Sequence, residues 1–192
     1  FYYLTLMNEN YSHPKRPKNA TTENIIKGAY RYLENKDPSL RILASGVTLN
    51  FAVDAEKELK KLGISTEIWS VTSFNELYKD GIEVERLNRY ENKKSVSYVE
   101  SCFSQCLPTV AVSEYVRAYT NQIRQWVNGD YITLGTDGFG RSDTREELRN
   151  YFEISKDHIV INALIVSGNK DKAEKYIKDK KINLNSKAPW LR

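Results

Sequence analysis

The 192-residue sequence contains few of the residues that build disulfides and metal centres. Its two cysteines, Cys102 and Cys106, lie four residues apart in a segment with a helical pattern, a spacing that rarely suits a disulfide. The only histidines, His13 and His158, lie in unrelated segments, and a metal would need further ligands. We therefore expect reduced, partly buried thiols in a reducing compartment, and no metal site.

Long apolar runs and an excess of one charge are also missing. The longest apolar run, Ile159 to Val166, is far shorter than the ~20 residues that cross a bilayer. The net charge is +4, and lysines alternate with acidic residues between Lys170 and Lys181, a pattern typical of a solvated helix face. No signal peptide is recognised. We expect a cytoplasmic protein with no membrane partner and no nucleic-acid partner, since nucleic-acid binding would depend on this mild charge alone.

The start of the sequence predicts a boundary between two domains. The opening residues, "FYYLTL", have a strand pattern without the polar residues that usually begin a chain. Asn8 to Asn24 carries two prolines and several turn formers, which indicates an extended linker. We expect residues 1–24 to be the end strand of a preceding domain and its linker. Residues 25–192 would form a separate domain, and the sequence would be part of a longer polypeptide.

After the linker, helical and strand patterns alternate. Thr21 or Thr22 can cap a helix whose apolar residues have helical spacing, namely Ile25, Ile26, Ala29, Tyr30 and Leu33. Strand patterns follow at residues 40–45, 66–71, 109–113 and 131–135, and a helical pattern over residues 48–62 joins the first two. A strand, helix and strand with short joints make a right-handed unit with parallel strands. The order therefore predicts an α/β fold.

Capping pairs mark two further helices. Ser73 with Glu76 opens a helical stretch that runs to Tyr90, and Asp143 with Glu146 opens one after the fourth strand. A helix is also expected in the aromatic segment that carries Tyr115, Tyr119, Ile123 and Trp126. Residues 157–168 are apolar nearly all round, so they fit either a buried helix or a central strand. We interpret them as a helix that Gly168 ends, followed by a charged terminal helix.

A glycine-rich stretch after the fourth strand is the main candidate for a functional site. Its G-x-x-G-x-G spacing lacks the lysine of a phosphate loop, Arg141 is its only cation, and its two aspartates would oppose a phosphate. It is either a simple turn or a contact surface, because open α/β sheets present such loops at the carboxyl ends of their strands. The candidate residues of an interdomain contact loop are Gly135, Asp137, Gly138, Phe139, Gly140, Arg141, Ser142 and Asp143.

Other arrangements of reactive residues are poorer. A dinucleotide fingerprint fails at the first strand, which is followed by a single glycine, Gly46. No G-x-S-x-G elbow is present, and the cysteines have no plausible catalytic partner. Neighbouring carboxylates such as Glu146 and Glu147 belong to expected solvated helix faces. The residues alone therefore indicate no active site.

Four blocks of the sequence nevertheless carry a family resemblance. They are "FYYLTLMNENYSHP", "IWSVTSFNELYKDG", "VAVSEYVRAYTNQIRQWV" and "YITLGTDGFGRSDTREELRNYFEI". In this order and spacing they resemble the C-terminal part of the homodimeric pyruvate dehydrogenase first component, a thiamine-diphosphate enzyme of the transketolase superfamily. The likeness is weaker at residues 15–38 and after Gly168. The "GTDGFGRSD" block favours this enzyme over 2-oxoglutarate dehydrogenase and transketolase.

The resemblance implies a parent chain of three domains that uses thiamine diphosphate and Mg²⁺. The parent would decarboxylate pyruvate and pass the acetyl group to the lipoyl group of a dihydrolipoyl acetyltransferase. Its C-terminal domain would be a three-layer Rossmann-like sandwich with a mostly parallel, five-stranded sheet that supports the homodimer. Phe139 and Trp190 would be buried against the other domains of the parent chain or the second subunit.

The resemblance carries no catalytic, cofactor-binding or metal-binding residue onto this sequence. The family binds its cofactor with a GDG…NN motif, whereas residues 128–131 provide only Gly-Asp and Thr136 stands where the first glycine of "TDG" belongs. We expect this part of the enzyme to be inactive alone and to bind no cofactor. The alternative is a stand-alone small-anion or nucleotide-binding regulatory module that uses the loop around Gly138 with Arg141 as its cation.

Overall fold

Strands and helices alternate along residues 9–91, 94–184 and 187–192, the part of the chain that the computed structural model describes. The opening strand expected within residues 1–6 lies outside these residues. In chain order the elements are α1 (Thr22–Lys27), β1 (Ala29–Leu33), β2 (Leu40–Ala44), α2 (Thr48–Lys61), β3 (Thr66–Val71), α3 (Phe74–Tyr90), α4 (Tyr98–Cys102), β4 (Thr109–Val112), α5 (Arg117–Asn121), β5 (Tyr131–Leu134), α6 (Arg145–Tyr151), α7 (Lys156–Val166) and α8 (Lys170–Lys180), with short 3-10 turns at Arg124–Trp126 and Pro189–Leu191. Among the described helices, none is both long and apolar enough to cross a membrane.

The strands form one sheet in the order β1-β3-β2-β4-β5. Strands β2 to β5 are parallel, with Ile42 of β2 opposite both Ile68 of β3 and Val110 of β4. Strand β1 is antiparallel to β3 and lies at the sheet's edge. The prediction of a mostly parallel five-stranded α/β sheet is confirmed. Because β2 to β5 point the same way, the loops that follow them meet at one edge, which we call the carboxyl edge.

Strand β1 replaces a segment that the sequence pattern assigned to a helix. Helix α1 begins as expected, since the Thr21 hydroxyl accepts a hydrogen bond from the backbone N–H of Asn24 (3.2 Å). It ends at Gly28, whose φ of +105° suits glycine and whose β-carbon would lie 2.5 Å from the carbonyl oxygen of Ser73. The predicted helix through Leu33 is therefore wrong. Its apolar spacing also fits an edge strand, and pairing with β3 satisfies the backbone hydrogen bonds there.

Helices cover both faces of the sheet and enclose two apolar clusters. One cluster includes Ile42 and Ile68 from the sheet and side chains of α2, α7 and α8. The other includes Leu43 and Trp69, which point to the opposite face, together with side chains of α3 and α4. Helix α7 is buried on nearly all sides, which explains its unpatterned apolar sequence. Its assignment as a helix that stops at Gly168 (φ +76°) is confirmed.

Two other sequence-based assignments need correction. The expected aromatic helix is split, because α5 covers only five residues and Tyr115 lies before it and is exposed, whereas Ile123 and Trp126 are buried. Helix α4 ends at Cys102, so the two cysteines do not share a helix. Both thiols are free, with Cys102 half-buried and Cys106 exposed. The aromatic segment has no capping residue that fixes the length of its helix, so tertiary packing decides where α5 begins and ends.

A row of charged side chains from β2, β3 and β1 lies on the face of the sheet that carries Leu43 and Trp69. Arg41 Nε lies 2.6 Å from Glu67 Oε1, and each side chain is 1% exposed. Arg41 also donates to the carbonyl oxygen of Gln105 (2.9 Å). On the other side of Glu67, Arg31 Nε lies 3.5 Å from Oε2. Arg41 and Glu67 therefore form a buried ion pair with supporting hydrogen bonds, the condition under which buried charges are tolerated.

Candidate docking site at the carboxyl edge of the sheet

The loops after β4 and β5 pack directly on each other. We call residues 135–143 the glycine loop. The backbone N–H of Thr136 donates to the carbonyl oxygen of Tyr115 (2.8 Å), and Ser113 N–H donates to the carbonyl oxygen of Leu134 (3.2 Å). A β-carbon at Gly135 would lie 2.5 Å from the Tyr115 carbonyl oxygen. Glycine is therefore required at position 135 for the two loops to approach this closely.

An aspartate of the glycine loop holds the start of α5. Asp137 Oδ1 accepts from the backbone N–H of Arg117 (2.9 Å), and its Oδ2 accepts from Arg117 Nε (2.6 Å). The Arg117 guanidinium also lies over the Trp190 ring, 4.4 Å from its centroid. Two charge-assisted hydrogen bonds in a partly exposed position fix the loop's first turn. Asp137 therefore has a structural role inside the domain.

The C-terminal segment, residues 187–192, covers one side of the glycine loop. A β-carbon at Gly138, where φ is +91°, would lie 3.0 Å from Cα of Trp190. Arg141 Nη2 donates to the carbonyl oxygen of Arg192 (2.7 Å), and its guanidinium lies over the Tyr151 ring. The cation expected to hold an anion is thus already engaged by the chain itself.

Exposed apolar side chains lie on the segments that make these contacts. We call this group the apolar patch, and its side chains, which are between 45% and 89% exposed, are those of Tyr115, Val116, Phe139, Trp190 and Leu191. Phe139 is the most exposed, at 89%. Large apolar patches on a folded domain mark interaction surfaces, because leaving them in water is unfavourable. The side chain of Phe139 therefore points into solvent, whereas hydrogen bonds to the rest of the domain hold the backbone of the glycine loop.

The remaining predicted residues of the loop divide into exposed and local ones. Gly140, Arg141 and Ser142 are exposed, and a β-carbon at Gly140 would have no neighbour within 4 Å. Asp143 accepts from the backbone N–H of Thr144 (2.7 Å). The cap of α6 is Thr144, which accepts from the backbone N–H of Glu147 (3.3 Å), so the expected Asp143–Glu146 capping pair is wrong by one residue. Threonine and aspartate cap equally plausibly by sequence, and the backbone path decides between them.

The N-terminal arm, residues 9–20, docks beside the same edge. Glu9 Oε1 lies 2.8 Å from Arg145 Nε, and the Tyr11 hydroxyl accepts from Arg149 Nη2 (2.8 Å). Hydrogen bonding from Tyr11, together with the charge of Arg145, lowers the pKa of Glu9. Burial alone would lower the pKa of Arg149, but its hydrogen bonds to Tyr11 and Glu114 raise it overall. The arm is therefore fixed on the domain by ionised groups.

A small cavity lies at the ends of β4 and β5, next to the arm's anchoring arginines. Its volume is about 230 Å³, and it is lined by Glu114, Thr136, Arg145, Leu148, Arg149, Phe152 and Ile154. Arg149 pairs with Glu114 across it (3.2 Å). Its apolar side chains and its already paired charges suit the insertion of a side chain from a neighbouring surface.

Hydrogen bonds join the strand ends at the position where many α/β sheets bind a ligand. Strand order reverses between β2 and β4, and ligands of open sheets bind in the crevice at such a point. Here the fully buried Thr48 hydroxyl donates to the carbonyl oxygen of Ser45 (2.8 Å) and contacts that of Val112 (3.2 Å). Ser45 N–H donates to the same Val112 oxygen (3.2 Å). These bonds tie the two strand ends together.

The described residues do not fit the cofactor that the family resemblance implies. Within residues 9–91, 94–184 and 187–192, no group of three or more His, Cys, Asp or Glu side chains could hold a metal ion. Asp137 of the glycine loop and Glu114 of the loop after β4 are each paired with an arginine. We therefore assign no residue of this chain to thiamine diphosphate or Mg²⁺, and its expected lack of a cofactor stays a prediction.

Sequence reasoning found the glycine loop but missed the residues that hold it. The expected helix included Tyr115 and Val116, whereas they lie in the loop before α5, and Arg117 is the first residue of that helix. Only the adjacency of β4 and β5 brings Arg117 and Asp137 together. No signal within either segment alone specifies that pair.

The fold and this edge define the class of protein. The molecule is an α/β sandwich domain with exposed apolar side chains at the carboxyl edge of its sheet. Residues 28–155 match the family model of the transketolase-like TK C-terminal domain. The chain therefore belongs to the transketolase C-terminal domain family.

Within this family, the curated relatives that match the sequence include several pyruvate dehydrogenase E1 components. The chain is 47% identical over 172 residues to the pyruvate dehydrogenase E1 component of Pseudomonas aeruginosa, covering 85% of this chain and 19% of the relative. It is 39% identical over 202 residues to the E1 component of Cupriavidus necator, covering 98% of this chain and 22% of the relative. It is also 39% identical over 170 residues to the E1 component of Escherichia coli K12, covering 85% of this chain and 19% of the relative. The resemblance inferred from the sequence is confirmed. The chain spans about a fifth of the length of these relatives.

Solved structures support the fold. Transketolase from Leishmania mexicana gives a TM-score of 0.56 at 22% identity, covering 79% of this chain and 19% of that one. A transketolase from Pichia stipitis gives a TM-score of 0.53 at 19% identity, with 90% and 21% covered. At these identities the likeness shows the fold alone.

Proposed function

We propose that this chain is the non-catalytic C-terminal domain of a pyruvate dehydrogenase first component, with residues 1–24 as the end of the preceding domain and its linker. The parent enzyme would use thiamine diphosphate and Mg²⁺ to decarboxylate pyruvate in the cytoplasm and would acetylate the lipoyl group of a dihydrolipoyl acetyltransferase. The identity to E1 components over most of this chain carries the proposal.

The domain's work in this proposal is to provide a rigid docking surface. The apolar patch and the N-terminal arm both lie at the carboxyl edge, and the arm leads toward the residues that would precede this domain. Phe139 and Trp190 would be buried against the other domains of the parent chain or against the second subunit of a homodimer. Burying a large aromatic side chain contributes roughly 1.5–3 kcal/mol, which is enough to orient a covalently tethered domain.

Association with a truncated relative tests this role. The partner is the Pseudomonas aeruginosa E1 component shortened to end where its match to this chain begins. We expect the two pieces to form a complex in sedimentation velocity, and Phe139→Asp to weaken that complex by at least about tenfold, because it places a charge in an apolar interface. Absence of any complex, or equal binding by the variant, contradicts the docking role.

A matched control separates docking from general surface effects. Tyr90, at the end of α3, is 78% exposed and lies outside the apolar patch. Tyr90→Asp should leave the complex unchanged.

The absence of cofactor binding is tested by titrating the 192-residue chain with thiamine diphosphate and Mg²⁺ in a calorimeter. Micromolar binding would count against a non-catalytic domain.

The alternative, a small-anion or nucleotide module, has less support. Arg141 is hydrogen-bonded to the C-terminal segment, and the Thr48 hydroxyl at the end of β2 is hydrogen-bonded to the Val112 carbonyl oxygen. A thermal shift screen with phosphate, nucleotides and acyl-CoA distinguishes the two functions. A ligand at ~100 times its dissociation constant should add ~2.7 kcal/mol of stability, so no shift at millimolar ligand excludes this module.

A further inference from the structure

The turn before β5 contains Asn128 followed by Gly129, and no other asparagine of the sequence precedes a glycine. Both residues are exposed. The backbone nitrogen that follows an asparagine can attack the carbonyl carbon of its side chain. Glycine is the residue that permits this attack most readily, because it has no β-carbon to screen the nitrogen and its backbone turns freely. The pair is therefore a candidate site of chemical modification.

The nitrogen of Gly129 is not held by a hydrogen bond. Among the described residues, the Gly129 N–H has no hydrogen-bond acceptor. Its φ is +112°, and a β-carbon there would lie 2.3 Å from the carbonyl oxygen of Leu107, so only glycine fits this position. The packing that requires glycine thus also keeps the most reactive neighbour next to Asn128.

Hydrogen bonds from Asn128 to residues 103–107, which we call the post-helix segment, oppose the attack. Its Nδ2 donates to the carbonyl oxygen of Ser104 (3.1 Å). Its backbone N–H donates to the Phe103 carbonyl oxygen (3.2 Å), and its own carbonyl oxygen accepts from Leu107 N–H (3.2 Å). Exposed turns open locally far more often than the whole chain unfolds. These bonds should therefore slow the attack without stopping it.

We propose that Asn128 is a site of spontaneous deamidation in the folded protein. The Gly129 nitrogen forms a bond to Cγ of Asn128 while the bond from Cγ to Nδ2 breaks, and the proton of the glycine nitrogen leaves with Nδ2 as ammonia. Water then adds to either carbonyl carbon of the resulting cyclic imide and opens it to aspartate or isoaspartate. The reaction needs no reactant other than water, and the inference does not depend on the proposed function.

Both products would weaken the contact between this turn and the post-helix segment. Aspartate lacks the Nδ2 donor and places a carboxylate beside the Ser104 carbonyl oxygen. Isoaspartate also adds a carbon atom to the backbone, where Gly129 already lies against Leu107. The same segment contains Gln105, whose carbonyl oxygen accepts a hydrogen bond from the buried Arg41 (2.9 Å). Deamidation would therefore loosen a support of the buried ion pair.

Peptide mapping by mass spectrometry tests the site directly. The folded 192-residue chain is incubated at mildly alkaline pH, and the conversion of amide to acid is followed at each asparagine by its mass change. Asn128 should convert at least about tenfold faster than Asn121, an exposed asparagine that precedes Gln122. Part of the product should be isoaspartate, which protein-isoaspartate methyltransferase labels. Equal rates at the two positions, or no conversion at Asn128, overturn the proposal.

The urea-unfolded chain separates the effect of folding from that of sequence. Unfolding should speed the conversion of Asn128, because its hydrogen bonds to the post-helix segment are lost. Conversion that occurs only in urea contradicts a site in the folded protein. Asn128→Gln keeps the amide but would have to close a larger ring, so the signal at this position should disappear.

The consequence is tested with Asn128→Asp, which carries one product from the start. This variant should raise the unfolding equilibrium constant by about fivefold or more in urea unfolding, because a hydrogen bond is replaced by an unfavourable contact. Amide hydrogen exchange should also become faster at Leu107, which donates to Asn128. Asn121→Asp makes the same charge change away from the post-helix segment and should leave exchange at Leu107 as it is. Unaltered exchange at Leu107 in Asn128→Asp would refute the loosening.

Discussion

Single glycines decide how closely the chain approaches itself at the carboxyl edge. Gly135 lies against the carbonyl oxygen of Tyr115 and the backbone of Arg117, with no space for a side chain. Gly140, five residues later in the same loop, has open space where a side chain would be. The two positions look equivalent in the sequence. Only Gly135 is required by packing.

Alanine substitution should separate these two glycines. Gly135→Ala should lower the free energy of unfolding by about 1–3 kcal/mol, because its β-carbon would force two backbones apart. Gly140→Ala should change it little. Urea unfolding followed by tryptophan fluorescence measures both. Equal effects at the two positions would contradict the close approach at Gly135.

A buried histidine makes the domain sensitive to mild acid. His158 on α7 is buried, and its Nδ1 lies 2.9 Å from the Ser155 hydroxyl. Burial lowers its pKa from 6.5, and the charges of Glu153 and Asp157 only partly oppose this. Below 6.5 the unfolded chain therefore binds a proton that the folded chain resists. The stabilisation is complete above pH 6.5 and is lost as the pH falls toward the lowered pKa.

Replacing this histidine should flatten the pH dependence of stability. Between pH 7 and about pH 5 the free energy of unfolding should fall for the unaltered chain and fall less for His158→Gln, which cannot take up the proton. Urea unfolding at several pH values measures the slope. Carboxylates whose pKa is lowered from 4.5, such as Glu9 and Glu23, change the pH dependence of stability mainly at more acidic pH than the range from 7 to 5 used here. Identical slopes would contradict a buried neutral His158.

At the scale of elements, a buried ion pair joins the central strand β2 to its neighbour β3. Arg41 and Glu67 are almost fully buried and 2.6 Å apart. Removing one partner leaves the other charge buried without compensation. Breaking the pair should therefore lower the free energy of unfolding far more than replacing both residues by apolar ones.

Single and double replacements should show this asymmetry. Glu67→Gln should destabilise the chain by about 3–5 kcal/mol, whereas replacing both residues, Arg41→Met with Glu67→Leu, should recover much of that loss. Arg86→Ala, which breaks an exposed pair with Glu83, should leave the urea midpoint nearly unchanged. Additive losses in the double variant would contradict an uncompensated-charge explanation.

Elements with strong local signals were predictable from the sequence. The four parallel strands and helices α2, α3 and α7 were expected near their observed bounds, because apolar periodicity and the Ser73 cap identify them. Strand β1 was not, since Ala29, Tyr30 and Leu33 have a spacing that fits a helix equally well. Its state is decided by pairing with β3, about 40 residues away in sequence. The Arg117–Asp137 contact was missed for the same reason.

At the scale of the whole molecule, segments from distant parts of the sequence meet at the carboxyl edge. The C-terminal segment contacts the glycine loop through Trp190 and Arg192, and the N-terminal arm contacts Arg145 and Arg149 next to it. Contacts of this kind order exposed loops that have few buried apolar groups of their own. The proposed docking surface therefore includes contacts from both the N-terminal arm and the C-terminal segment.

Removing the C-terminal segment should loosen the glycine loop. Deletion of residues 187–192 should speed amide hydrogen exchange at Gly138 and Phe139, because the loop loses its contacts with Trp190 and Arg192. Exchange in strand β1, at the opposite side of the sheet, serves as the control and should not change. Unaltered exchange in the loop would show that Asp137 and Arg117 alone hold it.

The threonine that ties β2 to β4 has an evolutionary consequence. An ancestral or engineered scaffold with glycine in place of Thr48 would lose the hydroxyl that now bridges Ser45 and Val112. The hydrogen bond from Ser45 N–H to the Val112 carbonyl oxygen would remain, so the two strand ends would stay joined there through their backbones. Serine would keep this hydroxyl, so Thr48→Ser is the replacement that this position should tolerate best.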